Sequence, residues 1–175
     1  MTTIDTVVVG AGHAGLAVSR LLTGAGRDHV VIERGRIAER WRSERWDSLH
    51  LLTPRWMTRL PGWRYCGPDP DGFMPAHELV DHLEKYAAAT AEPVASGEEV
   101  EEVSASRDGY RVMTTSRWWQ ARNVVIATGA TGQPRLPPTI DQLGPRIWML
   151  TSSRYRNPDR PGVCSSWAHQ HPACR

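Results

Sequence analysis

Ile4 to Val9 is a short, β-branched apolar run that stops at Gly10, the pattern of a buried parallel strand. Ala14, Ala17, Val18, Leu21 and Leu22 then fall at helical spacing, and Gly24-Ala25-Gly26 ends that helix. His29 to Glu33 is a second short strand, so residues 1–33 predict β-α-β. Over residues 34–75 the periodicity is poor and Arg, Trp, Pro and Gly are dense. An irregular stretch of that length usually serves a purpose, such as wrapping a ligand. From Pro75 to Ala87, apolar residues at 79, 80, 83, 86 and 87 predict an amphipathic helix with proline near its first turn. Val94 to Val103, Tyr110 to Thr115 and Arg117 to Ala121 read as short strands, with Asp108-Gly109 as a hairpin turn between two of them. Asn123 to Ala127 is a further buried strand running into Thr128-Gly129, followed by a Pro/Gly-rich stretch over 132–145. The alternation predicts an α/β fold with a small antiparallel β insertion.

Composition narrows the function classes. A chain of 175 residues makes one domain, or one domain and a fragment of another. The net charge of +2 gives no field that would select nucleic acid or an anionic membrane. No apolar run approaches the ~20 residues that span a bilayer. The N-terminus lacks a basic region and opens directly into a strand, so no signal peptide is expected. Three cysteines are too few for a disulfide scaffold. The expected location is the cytoplasm. Cys66 has no C-x-x-C partner and reads as a structural thiol. His77 and His82 have a poor metal spacing and read as surface residues. Glu98, Glu99, Glu101 and Glu102 read as a solvated strand edge.

The candidate chemistry lies in Gly10-Ala11-Gly12-His13-Ala14-Gly15. This G-x-G-x-x-G follows a strand and opens a helix. Glu33 ends the next strand 18 positions after Gly15, near the separation of about 20 for a ribose-binding carboxylate. Gly10 permits the tight turn, Gly12 lets the backbone approach a pyrophosphate, and Gly15 lets helix and strand pack closely. The free N–H groups of the helix N-terminus would then face the phosphates. The motif leaves open whether the dinucleotide is FAD or NAD.

Two further segments carry a family resemblance. Glu39-Arg40-Trp41-Arg42-Ser43-Glu44-Arg45-Trp46-Asp47-Ser48-Leu49-His50-Leu51-Leu52-Thr53-Pro54 resembles the segment after the first βαβ unit of flavin-containing monooxygenases, the broad class that includes Baeyer–Villiger enzymes. Val125-Ile126-Ala127-Thr128-Gly129 through Pro137 is similar to the "ATG…P..P" stretch of the same class. The resemblance runs from residue 4 to about 160 and implies an incomplete Rossmann-like FAD-binding domain. It implies that Gly10, Gly12, His13, Ala14 and Gly15 cradle the FAD pyrophosphate, with Glu33 and Arg34 at the adenosine end. Trp41, Arg45, Trp46, Asp47 and Leu49 would lie toward the isoalloxazine. Val100 would meet adenine through its backbone, and Ala127, Thr128 and Gly129 would pass near the pyrophosphate. The implied activity is an NADPH-dependent oxidation of a small molecule. One departure stands out: Thr151-Ser152-Ser153-Arg154-Tyr155 keeps the tyrosine of an H-x-x-x-Y/W element but has threonine where histidine would stand.

Relatives of that class continue into a second glycine loop that binds NADPH. Here the sequence of residues 161–175 predicts neither that loop nor a strand. Shifting the codon frame by one base past Val163 allows an apolar run ending in glycine, the glycine being forced by the Trp167 and Ala168 codons. Residues 1–160 are therefore expected to be the N-terminal FAD-binding portion of a longer monooxygenase. Residues 161–175 are expected to be an unstructured, out-of-frame tail, with the frame lost between about Asn157 and Gly162.

Overall fold

The computed structural model describes residues 2–129, 134, 136–142 and 150–158. The expected tail over 161–175 lies outside the described residues.

The opening β-α-β forms as its pattern requires: β1 (Thr2–Val9), α1 (His13–Gly24) and β2 (His29–Glu33). The segment 34–75 holds more structure than its composition suggests. It contains a short helix α2 (Glu39–Ser43) and the strands β3 (His50–Pro54), β4 (Arg59–Leu60), β5 (Trp63–Arg64) and β6 (Phe73–Pro75). These strands form two separate two-stranded ribbons, β3 with β6 and β4 with β5. Helix α3 (Ala76–Ala89) follows, with Pro75 as its N-cap. Its expected apolar face is the one it buries: Leu79, Val80, Leu83, Tyr86 and Ala87.

The chain closes on β7 (Val94–Ser96), β8 (Val100–Ser106), β9 (Gly109–Thr114) and β10 (Trp118–Ile126). Two boundaries differ from the expectation. Val94 to Val103 is not one strand, because the chain turns at Gly97 and sends β7 and β8 to opposite ends of the sheet, ordered β7-β2-β1-β10-β9-β8. Arg117 to Ala121 and Asn123 to Ala127 are not two strands, because β10 runs through both. β10 pairs parallel with β1 from Thr2↔Trp119 to Val9↔Ile126, and antiparallel with β9 only over Trp118 to Ala121. The antiparallel insertion is thus an extension of the main sheet. The hairpin turn is centred one residue earlier than expected, with Ser106 opposite Gly109. Gly109 takes φ +128°, and a Cβ there would sit 2.3 Å from the Ala121 carbonyl oxygen.

Successive residues of a strand face opposite sides of the sheet, and β1 divides the core accordingly. Val8 joins Val31, Leu16, Leu79, Leu83 and Tyr86 on the side covered by α1 and α3. Val7 and Val9 join Val30, Ile32, Val112, Trp119 and Ala121 on the other. The strands β2, β1 and β10 run parallel, so their C-terminal ends lie at one edge, where Glu33 ends β2 and Gly10 and Ala127 follow β1 and β10. In open parallel sheets that edge is where ligands bind.

Three side chains differ from their expected settings. Glu98 is buried, not a solvated edge residue. It accepts hydrogen bonds from Thr114 Oγ1 (2.5 Å) and Ser116 Oγ (2.8 Å) and pairs with Arg117 (3.2 Å). Cys66 is exposed rather than structural. His82 is half-buried, packed edge-on against Trp63 with ring centroids 6.1 Å apart.

Candidate functional site

The turn between β1 and α1 is held in place by backbone contacts that admit no side chain. Gly10 has φ +106°, and a Cβ on it would lie 2.7 Å from the Ala127 carbonyl oxygen. A Cβ on Gly15 would lie 1.8 Å from the Gly10 carbonyl oxygen. Gly10 N–H donates to Ile32 O (2.8 Å) and Ala127 N–H donates to Val9 O (2.9 Å). Gly10, Gly15 and Ala127 therefore meet because the three parallel strand ends meet.

Gly12 is different. It is the N-cap of α1, and a Cβ on it would meet nothing within 4 Å. No side chain caps this end of α1, and its first turn holds no acidic residue. The N–H groups and partial positive charge of the helix end are thus left uncompensated by side chains. His13 and Ala14, which follow, are exposed.

Glu33 reaches this turn. Its Oε2 accepts from Ala11 N–H at 2.8 Å and its Oε1 accepts from Gly35 N–H at 3.0 Å. A carboxylate has about four lone-pair sites, so each oxygen keeps capacity for a further donor such as a ribose hydroxyl. Glu98 N–H donates to Glu33 O (3.0 Å) and Gly97 N–H donates to Gly35 O (3.2 Å), which brings the start of β8, with Val100, to the same end of the site. Arg34 is exposed there and pairs with Glu44 (3.4 Å) and Glu99 (4.0 Å).

Helix α2 ties the turn to a second feature. Ala38, in the left-handed region at φ 59°, donates its N–H to Ala11 O at 3.1 Å and starts α2 against the glycine turn. Hydrogen bonding to the Arg36 guanidinium holds the Glu39 carboxyl down at about 2. Beyond it, Trp41, Arg45, Trp46 and Asp47 line a cavity of about 300 Å³ with Arg42, Ala76, His77, Val80 and Asp81. Arg45 stacks over the Trp41 ring, 5.0 Å from its centroid. Residues 151–157 brace this wall: Asp47 N–H donates to Arg156 O (2.9 Å), Arg156 Nη1 to Arg45 O (3.2 Å), and Asn157 Nδ2 to Asp47 Oδ2 (2.8 Å). Leu49 is half-buried beside the cavity, its carbonyl accepting from Ala76 N–H at 2.9 Å. Thr128 and Gly129 are exposed past the end of β10.

The site residues read from sequence thus fall into two groups, one at the strand ends and one around the cavity, joined by α2. Sequence reasoning missed His77 and Asp81, which enter the cavity wall from α3. Their i, i+4 spacing on one helix face was the available signal. It also missed Arg40, whose Nη1 is buried without a hydrogen-bond partner. Burial pushes the His82 pKa down, helped by the neighbouring charges of His13 and Lys85.

A parallel sheet with a glycine turn at a helix N-terminus, closed by a carboxylate from the next strand, defines the Rossmann-like fold of FAD-binding domains. Comparison with known proteins agrees. Residues 7–142 match the family described as pyridine nucleotide-disulphide oxidoreductase, and the chain belongs to it. An uncharacterized CzcO-like oxidoreductase of Geobacillus kaustophilus is 35% identical over 90% of this chain. An indole-3-pyruvate monooxygenase, YUCCA1, of Oryza sativa subsp. japonica is 33% identical over 75% of this chain. A two-site variant of the flavin monooxygenase from Stenotrophomonas maltophilia superposes with a TM-score of 0.82 at 29% identity, over 90% of this chain. The chain spans 45%, 33% and 47% of those three proteins respectively, less than half of each. Among the described residues no helix is long and apolar enough to cross a membrane.

Proposed function

We propose that residues 1–160 form the FAD-binding portion of an NADPH-dependent oxidoreductase of the flavin monooxygenase type, acting in its full-length form on a small molecule. The observation that carries this is the clamp of Glu33 on Ala11 N–H, which closes the glycine turn in front of an uncapped helix end. In this reading Gly10, Gly12, His13, Ala14 and Gly15 hold the FAD diphosphate with Ala127, Thr128 and Gly129. The free lone pairs of Glu33 accept the adenosine ribose hydroxyls, with Arg34 and the Val100 backbone nearby. The cavity bounded by Trp41, Arg45, Trp46 and Asp47, with Leu49 beside it, receives the isoalloxazine end, and its indole faces keep water from that end. A bound flavin would supply two-electron chemistry with NADPH and oxygen; these residues bind and orient it. Cys66 has no second cysteine nearby in sequence, so the family's fold is not taken to bring disulphide exchange with it.

Residues 1–160, taken without the rest of a full-length relative, are proposed to bind FAD weakly and to oxidise no NADPH, because part of a site offers fewer contacts against the same ordering cost. Residues 161–175 are read as an out-of-frame tail, and the base sequence from the Asn157 codon onward tests that directly. A second reading is a non-catalytic dinucleotide-binding module, because the glycine turn and the Glu33 clamp would serve either role. Titrating the purified protein with FAD while following flavin fluorescence, then adding NADPH, separates the readings. Weak FAD binding with no NADPH consumption is expected. A yellow protein that consumes NADPH would overturn the proposed inactivity, and a folded protein that ignores FAD would overturn the cofactor.

A further inference from the structure

Arg40 lies on α2 with its guanidinium beside the end of β10. Its Nη1 is 3.6 Å from the position a Cβ on Gly129 would take. That nitrogen is buried and has no hydrogen-bond partner. The nearest charge is Glu44, whose Oε2 stands 3.6 Å from Nε, an ion pair too long for a hydrogen bond. Only about a quarter of the side chain is exposed, at 24%. The neighbouring arginines on α2 and before it are engaged differently: Arg36 hydrogen-bonds Glu39 at 2.8 Å and Arg42 pairs with Glu84.

A buried guanidinium N–H without an acceptor is unfavourable unless an anion reaches it. The position of Arg40 indicates which anion. Ala38 fixes the start of α2 on Ala11, within the glycine turn. The Gly10 turn in its own right abuts Ala127 and Thr128. Arg40 over Gly129 and the uncapped end of α1 therefore belong to one corner of the fold, and both are positive.

We propose that Arg40 is the counter-charge for the diphosphate of the dinucleotide, donating from Nη1 to a diphosphate oxygen above Gly129. This rests on the dinucleotide reading given above. It makes a second demand that reading does not: the ligand-free protein buries a guanidinium nitrogen of Arg40 with no acceptor, so removing that group helps the empty fold and harms binding.

The test uses the full chain, as wild type and as Arg40→Met and Arg40→Lys. ADP, FAD and adenosine are titrated by calorimetry at low salt, and ligand-free melting curves are recorded. Arg40→Met is expected to weaken FAD and ADP about 10- to 100-fold, the range for one charge-assisted hydrogen bond. Adenosine, which lacks phosphate, should bind the two proteins alike, and Arg40→Lys should recover part of the loss. The ligand-free melting temperature of Arg40→Met should rise. Unchanged ADP affinity, or a fall in that melting temperature, would make Arg40 a structural partner of Glu44 and overturn the proposal while leaving the dinucleotide reading intact. A folded wild type that binds neither FAD nor ADP would overturn both.

Discussion

The Glu33 carboxylate accepts a hydrogen bond from Ala11 N–H at 2.8 Å across 22 residues of sequence, and its other oxygen accepts from Gly35 N–H at 3.0 Å. One side chain thus fastens the end of β2 to the turn after β1. Glu33→Gln keeps the shape but sets an amide NH2 against one of two N–H donors. Each bond to a charged acceptor contributes about 1.5–3 kcal/mol. The variant should lose about that much stability in urea unfolding, and its FAD affinity should fall with it. Unchanged urea midpoints would show that the clamp does not hold the turn.

The glycines of the turn should separate folding from binding. A Cβ on Gly15 would lie 1.8 Å from a backbone oxygen that cannot move away, so Gly15→Ala should cost more than about 3 kcal/mol or prevent folding. A Cβ on Gly12 meets nothing within 4 Å, so Gly12→Val should fold with a loss of about 1 kcal/mol or less, the cost of a poor N-cap. Its side chain would still fill the approach to the helix end. Circular dichroism melts and ADP titration of both variants check the pair. Comparable destabilisation of the two would contradict this account.

Glu98 sets an acid limit on the fold. Burial pushes its carboxyl up, but hydrogen bonds from Thr114 and Ser116 and the charge of Arg117 outweigh that, and the pKa lies below the ordinary carboxylate value. A lowered folded pKa means the unfolded chain binds the proton more readily. The stabilisation is therefore complete above the unfolded pKa and is lost as pH falls through the folded one. Urea midpoints should drop as pH falls below about 4.5, and Glu98→Gln should lower stability at neutral pH while flattening that slope.

His82 acts near neutrality with the other sign of cause. Desolvation lowers its pKa, aided by the charges of His13 and Lys85, and its Nε2 is buried without a partner. The unfolded chain takes up the proton first as pH falls through about 6.5, so stability should decrease from there toward the folded value. His82→Phe keeps a ring against Trp63 and removes the titrating group. Its melting temperature should exceed that of wild type by more at pH 5.5 than at pH 8. Parallel pH profiles for the two proteins would remove His82 from the explanation.

The opening β-α-β, α3, the glycine turn and the acid at the end of β2 were legible in the sequence because each depends on local signals. Apolar runs at period two or 3.6, a glycine triplet and an acid at a strand end need no knowledge of distant contacts. The resemblance added the Trp41 to Leu49 and Ala127 to Gly129 segments in the right order, and the structure brings both to the same edge of the sheet or next to it. What could not be read was anything fixed by partners far along the chain. β7 and β8 look alike and adjacent, yet Val94 pairs with Val31 while Val103 pairs with Val112. Trp118 to Ile126 looks broken, yet β1 supplies an unbroken partner that makes it one strand. Glu98 looks like its exposed neighbours until Thr114, Ser116 and Arg117 enclose it. Arg40 is one of many arginines until the fold buries its Nη1 beside Gly129. Local pattern determines which elements form, since backbone geometry and side-chain periodicity act over a few residues. Which charges are buried, and against what, was decided only by the tertiary structure, because desolvation and pairing depend on groups the chain brings in from elsewhere.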